Sequence, residues 1–185
     1  MGRDKATLPF GGETLLVRAV RNVSNCVDDV VVVARRGQEL PALPADVRVV
    51  FDETDDRGPL GGLGPGLRAV RAPAAFVTSC DAPFVSRAVI DLLFARLGTG
   101  DAAVAESGGF THPLCAVYRA TCAATIDRLV AENRLRAADL VDVFSAVRVG
   151  ETELRAVDPE LLALSNCNTP ESYAAALARL AQGGA

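Results

Sequence analysis

An α/β domain built on a mainly parallel sheet is the fold class this sequence predicts, on three observations. Near-continuous apolar runs such as DVVVVAR (residues 29–35) and AAFVTS (residues 74–79) have the composition of strands covered on both faces. Between them lie segments whose apolar residues recur at helical spacing. No linker, internal repeat or low-complexity block divides the 185 residues, a length that supports one domain with a substantial core.

The chain opens on MGRDKATLPFGG. Gly2 beside Arg3, Asp4 and Lys5, followed by a short apolar stretch and the turn Gly11-Gly12, suits a backbone that wraps anions and adds one flexible positive charge. The same residues equally suit an ordinary polar chain start. Residues 13–25 place Leu15, Leu16, Ala19, Val20 and Val23 on one face of an amphipathic helix. Residues 29–35 and 47–51 read as two buried strands, the second closing at Asp52. A glycine-rich approach to a helix follows at 58–72, with Pro59 suited to its first turn.

Residues 74–79 form a third buried strand, leading into CDAPF, and Ser86 caps an amphipathic helix over 87–97. Strands are expected at 102–106 and 114–119 around the turn ESGGFTHP, then helices at 120–135 and 136–144. A short strand near 147–149 and a helix over 170–181 complete the pattern. A doubly wound domain carries its first strand at the centre of the sheet. This chain begins with a loop and a helix, so that central strand is missing from the pattern.

Composition narrows the function classes. A net charge of −4 and a pI near 5.0 argue against a protein that grips nucleic acid through its phosphates. No apolar run reaches the length of a membrane span, and the first residues lack a signal peptide's apolar core, so a cytoplasmic protein is expected. Cys26, Cys80, Cys115, Cys122 and Cys167 are odd in number and scattered, without a CxxC pair; they are expected to act as small buried hydrophobes. His112, the single histidine, has no cysteine or carboxylate at ligand spacing and is expected in a surface or loop role.

Ligands of open α/β sheets sit at the carboxyl ends of the strands, and three features fall there. Asp52 is the first polar residue leaving its strand and would point into the crevice; Glu53, Asp55 and Asp56 read as a solvated acidic loop. Gly58, Gly61, Gly62, Gly64 and Gly66 each cost a helix about 1 kcal/mol relative to Ala, which suggests close approach of backbone to something flat such as a base or ribose; a flexible turn is the plainer alternative. Asp81 suits Mg²⁺, which keeps most of its waters and takes phosphate ligands, or serves as a turn carboxylate before Pro83.

MGRDKATLPFGGETLLVRAV, GPLGGL, SCDAPFVS, HPLCAVYR and NCNTPESYAAAL, in this order, resemble the molybdenum cofactor guanylyltransferases within the sugar-nucleotide-type nucleotidyltransferases. The resemblance runs from Met1 to about residue 180 and implies a three-layer Rossmann-like nucleotidyltransferase fold in a single domain, 1–185. It implies transfer of GMP from GTP to the terminal phosphate of molybdopterin, with pyrophosphate leaving and Mg²⁺ required. By motif, Lys5 would neutralise the triphosphate and Asp81 would bind metal and nucleotide, the two forming the catalytic pair. Asp52 and the stretch Gly58, Pro59, Leu60, Gly61, Gly62 would contact the nucleoside, and Asn166 and Asn168 would lie on the pterin or phosphate side. The family often carries Asn where this chain has Val33. Arg134 and Arg136 could hold the pterin phosphate, or serve as exposed helix charges.

The implied partners are GTP and molybdopterin, with transient contact to cofactor-delivery or molybdoenzyme-maturation proteins, and neither nucleic acid nor membrane. Chemically the set is coherent, because phosphoryl transfer needs alignment and charge neutralisation more than a protein nucleophile. A carboxylate such as Asp52 can accept the adjacent N–H donors of guanine, or a ribose hydroxyl. Relatives carry a strand and a loop of the form LAGGxSxRMG ahead of the lysine, and here only the closing Met1-Gly2 is present. Met1 is therefore expected to correspond to the internal methionine of that loop in an N-terminally truncated domain with weakened GTP binding. A cytidylyl sister acting on the same cofactor, a sugar-phosphate nucleotidyltransferase and a non-catalytic nucleotide-binding relative stand as alternatives.

Overall fold

The computed structural model describes residues 4–52 and 57–183. A 3₁₀ turn over Lys5–Thr7 is capped by Asp4, whose Oδ1 accepts from the Ala6 amide at 3.0 Å. A hairpin follows, β1 (Pro9–Phe10) and β2 (Glu13–Thr14), turning at Gly11-Gly12. The Thr14 side chain accepts from the Val17 amide and so starts α1 (Leu15–Ser24). Strands β3 (Val31–Arg35) and β4 (Arg48–Asp52) pair in parallel, Arg35 opposite Asp52.

Helix α2 (Gly58–Ala69) leads to β5 (Ala74–Thr78), and Ser86 caps α3 (Arg87–Leu97) through the Val89 amide. The long hairpin β6 (Ala102–Ser107) and β7 (Phe110–Arg119) turns at Gly108 and Gly109, whose φ values of +58° and +78° suit a two-residue turn with both central residues left-handed. Then come α4 (Ala123–Ala131), the single-turn α5 (Leu140–Val143), β8 (Ala146–Val149), α6 (Glu151–Val157) and α7 (Pro170–Ala181).

The larger sheet has the order β5-β7-β6-β8, with β7 antiparallel to β5 and β6, and β8 parallel to β6. Three of its four strands therefore run in one direction and only β7 is reversed. Alternate residues of β6 and β7 point to opposite layers. Ala103, Ala105, Cys115 and Val117 pack with α3 and α6, while Ala102, Val104, Ala116 and Tyr118 pack with α2 and α4. This is the three-layer α/β arrangement the sequence predicts. Among the described residues, no helix is long and apolar enough to cross a membrane.

Several elements differ from expectation. The strand at 47–51, expected to be buried on both faces, is an outer strand, with Val49 and Phe51 37% and 46% exposed. The ESGGFTHP turn is far tighter than its composition suggests, because Phe110, Thr111 and His112 join β7. The helix expected over 120–135 stops at Ala131, where Asn133 takes a φ of +59°, and the one expected over 136–144 is a 3₁₀ turn plus four helical residues. Helix α6 was not legible in the pattern, since Leu154 is its one buried residue.

Between β3 and β5 the larger and smaller sheets do not meet. An apolar cavity of about 870 Å³ separates them, floored by α1 and roofed by α2. Every residue of β5 is consequently half-exposed, although its sequence is that of a buried strand.

Candidate active site

Lys5 and Asp81 converge at the carboxyl end of β5. Lys5 Nζ donates to Asp81 Oδ2 at 2.7 Å and to Asn168 Oδ1 at 2.5 Å, so a residue from each end of the chain meets one from the middle. Asp81 is 7% exposed, and its other oxygen accepts from the Ser79 hydroxyl. Asp81 and Arg18 are the buried charged residues among those described. Burying a carboxylate is costly unless it is paired and hydrogen-bonded, and Lys5 with Ser79 meets both conditions.

The surroundings fix these groups. Asp4 ties the Lys5 turn to the end of β3, accepting from Gln38 Nε2 at 2.8 Å and lying 3.7 Å from Arg35 Nη2. Behind Asp81, the Pro83 carbonyl accepts from Arg18 Nε at 3.3 Å and from Asn22 Nδ2 at 3.0 Å. Arg18 also lies 3.6 Å from Glu13 Oε1 and over the ring of Phe10. The Cys167 amide donates to the Asp81 carbonyl at 2.8 Å, which pins the segment bearing Asn166 and Asn168 against this turn. Burial pushes the Cys167 and Cys80 thiols up to about 11, with the Asp81 charge adding to the effect, so neither is a thiolate near neutral pH.

Asp52 ends β4 beside the first turn of α2. A Cβ built on Gly61 would lie 2.6 Å from Asp52 Oδ2 and 2.9 Å from Arg57 Cβ, so only glycine permits this approach of helix and carboxylate. The glycine-rich stretch is thus the helix itself rather than a turn before it. Gly58 and Pro59 are exposed at its start, where the first amides of a helix have no intrahelical partner. Leu60 is 1% exposed and belongs to the core, so any ligand contact there comes from its backbone. Gly62 faces Val33, whose Cγ1 would lie 3.5 Å from an added Cβ.

Lys5, Asp81 and Asn168 are brought together. Asp52 lies against Gly61, in the same helix as Gly58, Pro59 and Gly62, and Asn166 is exposed beside a cavity of about 220 Å³ that Pro59 and His112 also line. His112 lies half-buried on β7 rather than in a loop, and burial holds its pKa below the usual histidine value. Arg134 and Arg136 lie outside the helices and pair with Glu132 and Asp139. Glu53, Asp55 and Asp56, like Gly2 and Arg3, fall outside the described residues. Ser79, Gln38 and Arg18 were missed in the sequence, and Asp4 was read there only as part of the anion-wrapping start. Ser79, two residues before Asp81 at a strand end, carried the one local signal.

Among the described residues no group of three or more His, Cys, Asp or Glu could cage a metal. A single carboxylate, Asp81, whose partners are a flexible lysine and a hydroxyl, fits a Mg²⁺ ion that takes its other ligands from phosphate and water.

A three-layer α/β fold with a lysine–aspartate pair at the carboxyl ends of its strands is that of a nucleotidyltransferase, an enzyme class that the comparisons with known proteins bear out. The chain belongs to the family of MobA-like NTP transferase domains, matched over residues 1–146. It is 35% identical to a probable molybdenum cofactor guanylyltransferase of Methanosarcina acetivorans, over 91% of this chain and 80% of that protein. It is 32% identical to the molybdenum cofactor guanylyltransferase of Desulfosudis oleivorans, over 98% of this chain and 90% of that protein. The crystal structure of molybdopterin-guanine dinucleotide biosynthesis protein A from Archaeoglobus fulgidus shares the fold, with a TM-score of 0.80 at 21% identity, over 98% of this chain and 92% of that one.

Proposed function

We propose that the protein transfers GMP from GTP to the terminal phosphate of molybdopterin, inside the cell, in the synthesis of molybdopterin guanine dinucleotide. One observation carries the reading: Lys5, Asp81 and Asn168 meet at the strand ends of a chain whose relatives are named for guanylyl transfer. An oxygen of the acceptor phosphate attacks the α-phosphorus of GTP, the bond from that phosphorus to the oxygen bridging to the β-phosphorus breaks, and pyrophosphate leaves with the electron pair. The new bond is a diphosphate linkage, and no covalent enzyme intermediate is required.

The side chains have separate tasks. Lys5 neutralises charge on the triphosphate as the pyrophosphate departs. Asp81 would hold Mg²⁺, which when bound supplies charge neutralisation and aligns the phosphates. Asp52 accepts from guanine or ribose donors, and the amides of Gly58, Pro59, Leu60, Gly61 and Gly62 border the nucleoside. Asn168, bonded to Lys5, acts on the nucleotide side, whereas Asn166 faces the acceptor.

The test is turnover of the protein with GTP, Mg²⁺ and molybdopterin, followed by pyrophosphate release. Guanylylated product that is lost on Asp81→Asn supports the reading. Faster turnover with CTP than GTP assigns the cytidylyl reaction instead, and nucleotide binding without turnover assigns a non-catalytic role.

A further inference from the structure

Strand β7 departs from a regular ladder near its start. Val104 of β6 pairs with Ala116, but the next residue, Ala105, pairs with His112, so Pro113, Leu114 and Cys115 stand outside that ladder. Bulges of this kind recur beside active sites, where they re-aim a side chain. Pro113 is paired with neither β5 nor β6, and its carbonyl accepts from the Tyr118 hydroxyl at 3.0 Å. Tyr118 is fully buried in the core, which makes its hydroxyl a fixed point. The bulge is thus held from inside the molecule, one residue from His112.

Strand β7 is antiparallel to β5 and Cys115 faces Thr78, so residues 110–114 extend past the carboxyl end of β5, the end at which Asp81 stands. There His112 and Asn166 line the cavity of about 220 Å³, with Pro59 of α2 as a further wall. Neither side chain has a hydrogen-bond partner among the described residues. The lining holds no Asp, Glu, Lys or Arg, and burial keeps His112 neutral near pH 7. A neutral imidazole carries one donor and one acceptor, and a carboxamide carries both kinds.

A phosphate is gripped by charge-assisted bonds, for which this recess has no charge. It is smaller than sites that enclose a whole drug-sized ligand, about 300–1,000 Å³, and so suits a single ring system. Apolar walls at Leu114, Ala137 and Leu164 with two unpartnered polar side chains fit a flat nitrogen heterocycle. Two substrates carry one, and position separates them. Asp52 ends β4, on the far side of β3, whereas His112 is on β7, on the far side of β5, and Lys5 with Asp81 stands between. A nucleoside against Asp52 leaves the recess to the other substrate.

We propose that the recess takes the uncharged heterocycle of the acceptor, read by the imidazole of His112, which Tyr118 holds in place through Pro113. The proposal rests on the guanylyl-transfer reading, with molybdopterin as acceptor, and adds two residues to it. His112 touches the acceptor and sets specificity; Tyr118 touches no substrate and is a positioning residue.

The test measures binding of hydroxymethylpterin, which has the ring and no phosphate, through its own fluorescence, beside binding of GTP. His112→Ala should raise the Kd for the pterin about tenfold, the value of one hydrogen bond, and leave that for GTP within about twofold. Tyr118→Phe removes only the hydroxyl and should raise the pterin Kd about threefold with GTP again unmoved; equal losses for both ligands, or none, overturn its positioning role. Unchanged pterin affinity in His112→Ala overturns the proposal, as does loss of GTP in place of pterin, which would put guanine in the recess. Wild-type protein that guanylylates molybdopterin yet ignores the free ring also overturns it and leaves the reaction standing. Wild-type protein that does neither ends both readings.

Discussion

Asn168 Oδ1 accepts a hydrogen bond from Lys5 Nζ at 2.5 Å, across 163 residues of chain. Asn168, which the family resemblance puts on the pterin or phosphate side, thus touches the lysine proposed to act on the triphosphate. Asn168→Ala should raise KM for GTP about tenfold, the value of one charge-assisted hydrogen bond, and leave KM for the acceptor within about twofold. Steady-state kinetics with each substrate varied in turn decides it; the reverse split would return Asn168 to the acceptor.

Replacement of Asp81 by Asn keeps the shape and removes the charge that pairs with Lys5 at 2.7 Å. A kcat lower by about 10²–10³ is expected, comparable to removal of one preorganised electrostatic group. Far-ultraviolet circular dichroism should stay native, because the amide oxygen can still accept from Lys5 while the Ser79 hydroxyl turns to accept from the amide nitrogen.

Two neighbouring glycines of α2 should respond oppositely to alanine. At Gly61 an added Cβ meets Asp52 Oδ2 at 2.6 Å, so Gly61→Ala displaces that carboxylate and weakens GTP binding. At Gly62 the nearest atom is Val33 Cγ1 at 3.5 Å, an ordinary contact, so Gly62→Ala should stabilise the fold by about 0.4–1 kcal/mol. Calorimetric titration with GTP and urea unfolding separate the two effects.

Arg18 is 7% exposed and bonds the Pro83 carbonyl behind the Asp81 turn. Arg18→Ala leaves that carbonyl with Asn22 alone and removes the cation above Phe10. A loss of about 3 kcal/mol in urea unfolding is expected, in the range for a broken buried ion pair. A loss under about 0.5 kcal/mol would show that Arg18 is dispensable there.

Burial lowers the pKa of His112, so the folded protein resists a proton that the unfolded chain accepts below about pH 6.5. Stability from this group is complete above the unfolded value and declines as pH falls through it. His112→Gln should flatten the decline of the stability curve that begins below about pH 6.5, measured by denaturant midpoints at successive pH values.

Much of this architecture was legible because local chemistry and tertiary packing agree. Ser86 and Gly98 bound α3 at its expected residues, and Thr169 with Pro170 does the same for α7. Asp52, Asp81 and the glycine cluster were found from their places at strand ends. What escaped was set by distant partners. The composition of α2 argues against a helix, yet Gly61 and Gly64 admit Asp52 and Asp127 side chains that no larger residue would allow. The half-exposure of β5 depends on what stands beside it, which its own residues do not encode. Arg18 lies on an amphipathic helix where a cation reads as solvent-facing, and only Pro83 and Phe10 explain its burial.

The bond from the Cys167 amide to the Asp81 carbonyl has a bearing on the order of folding. The segment that Cys167 heads also supplies the oxygen that receives Lys5, across 163 residues of chain. Residues 5, 81 and 168 therefore meet only after contacts of long sequence separation have closed, a slower event than helix or hairpin formation. An intermediate with its helices formed but this closure unmade would hold Lys5 without that restraint.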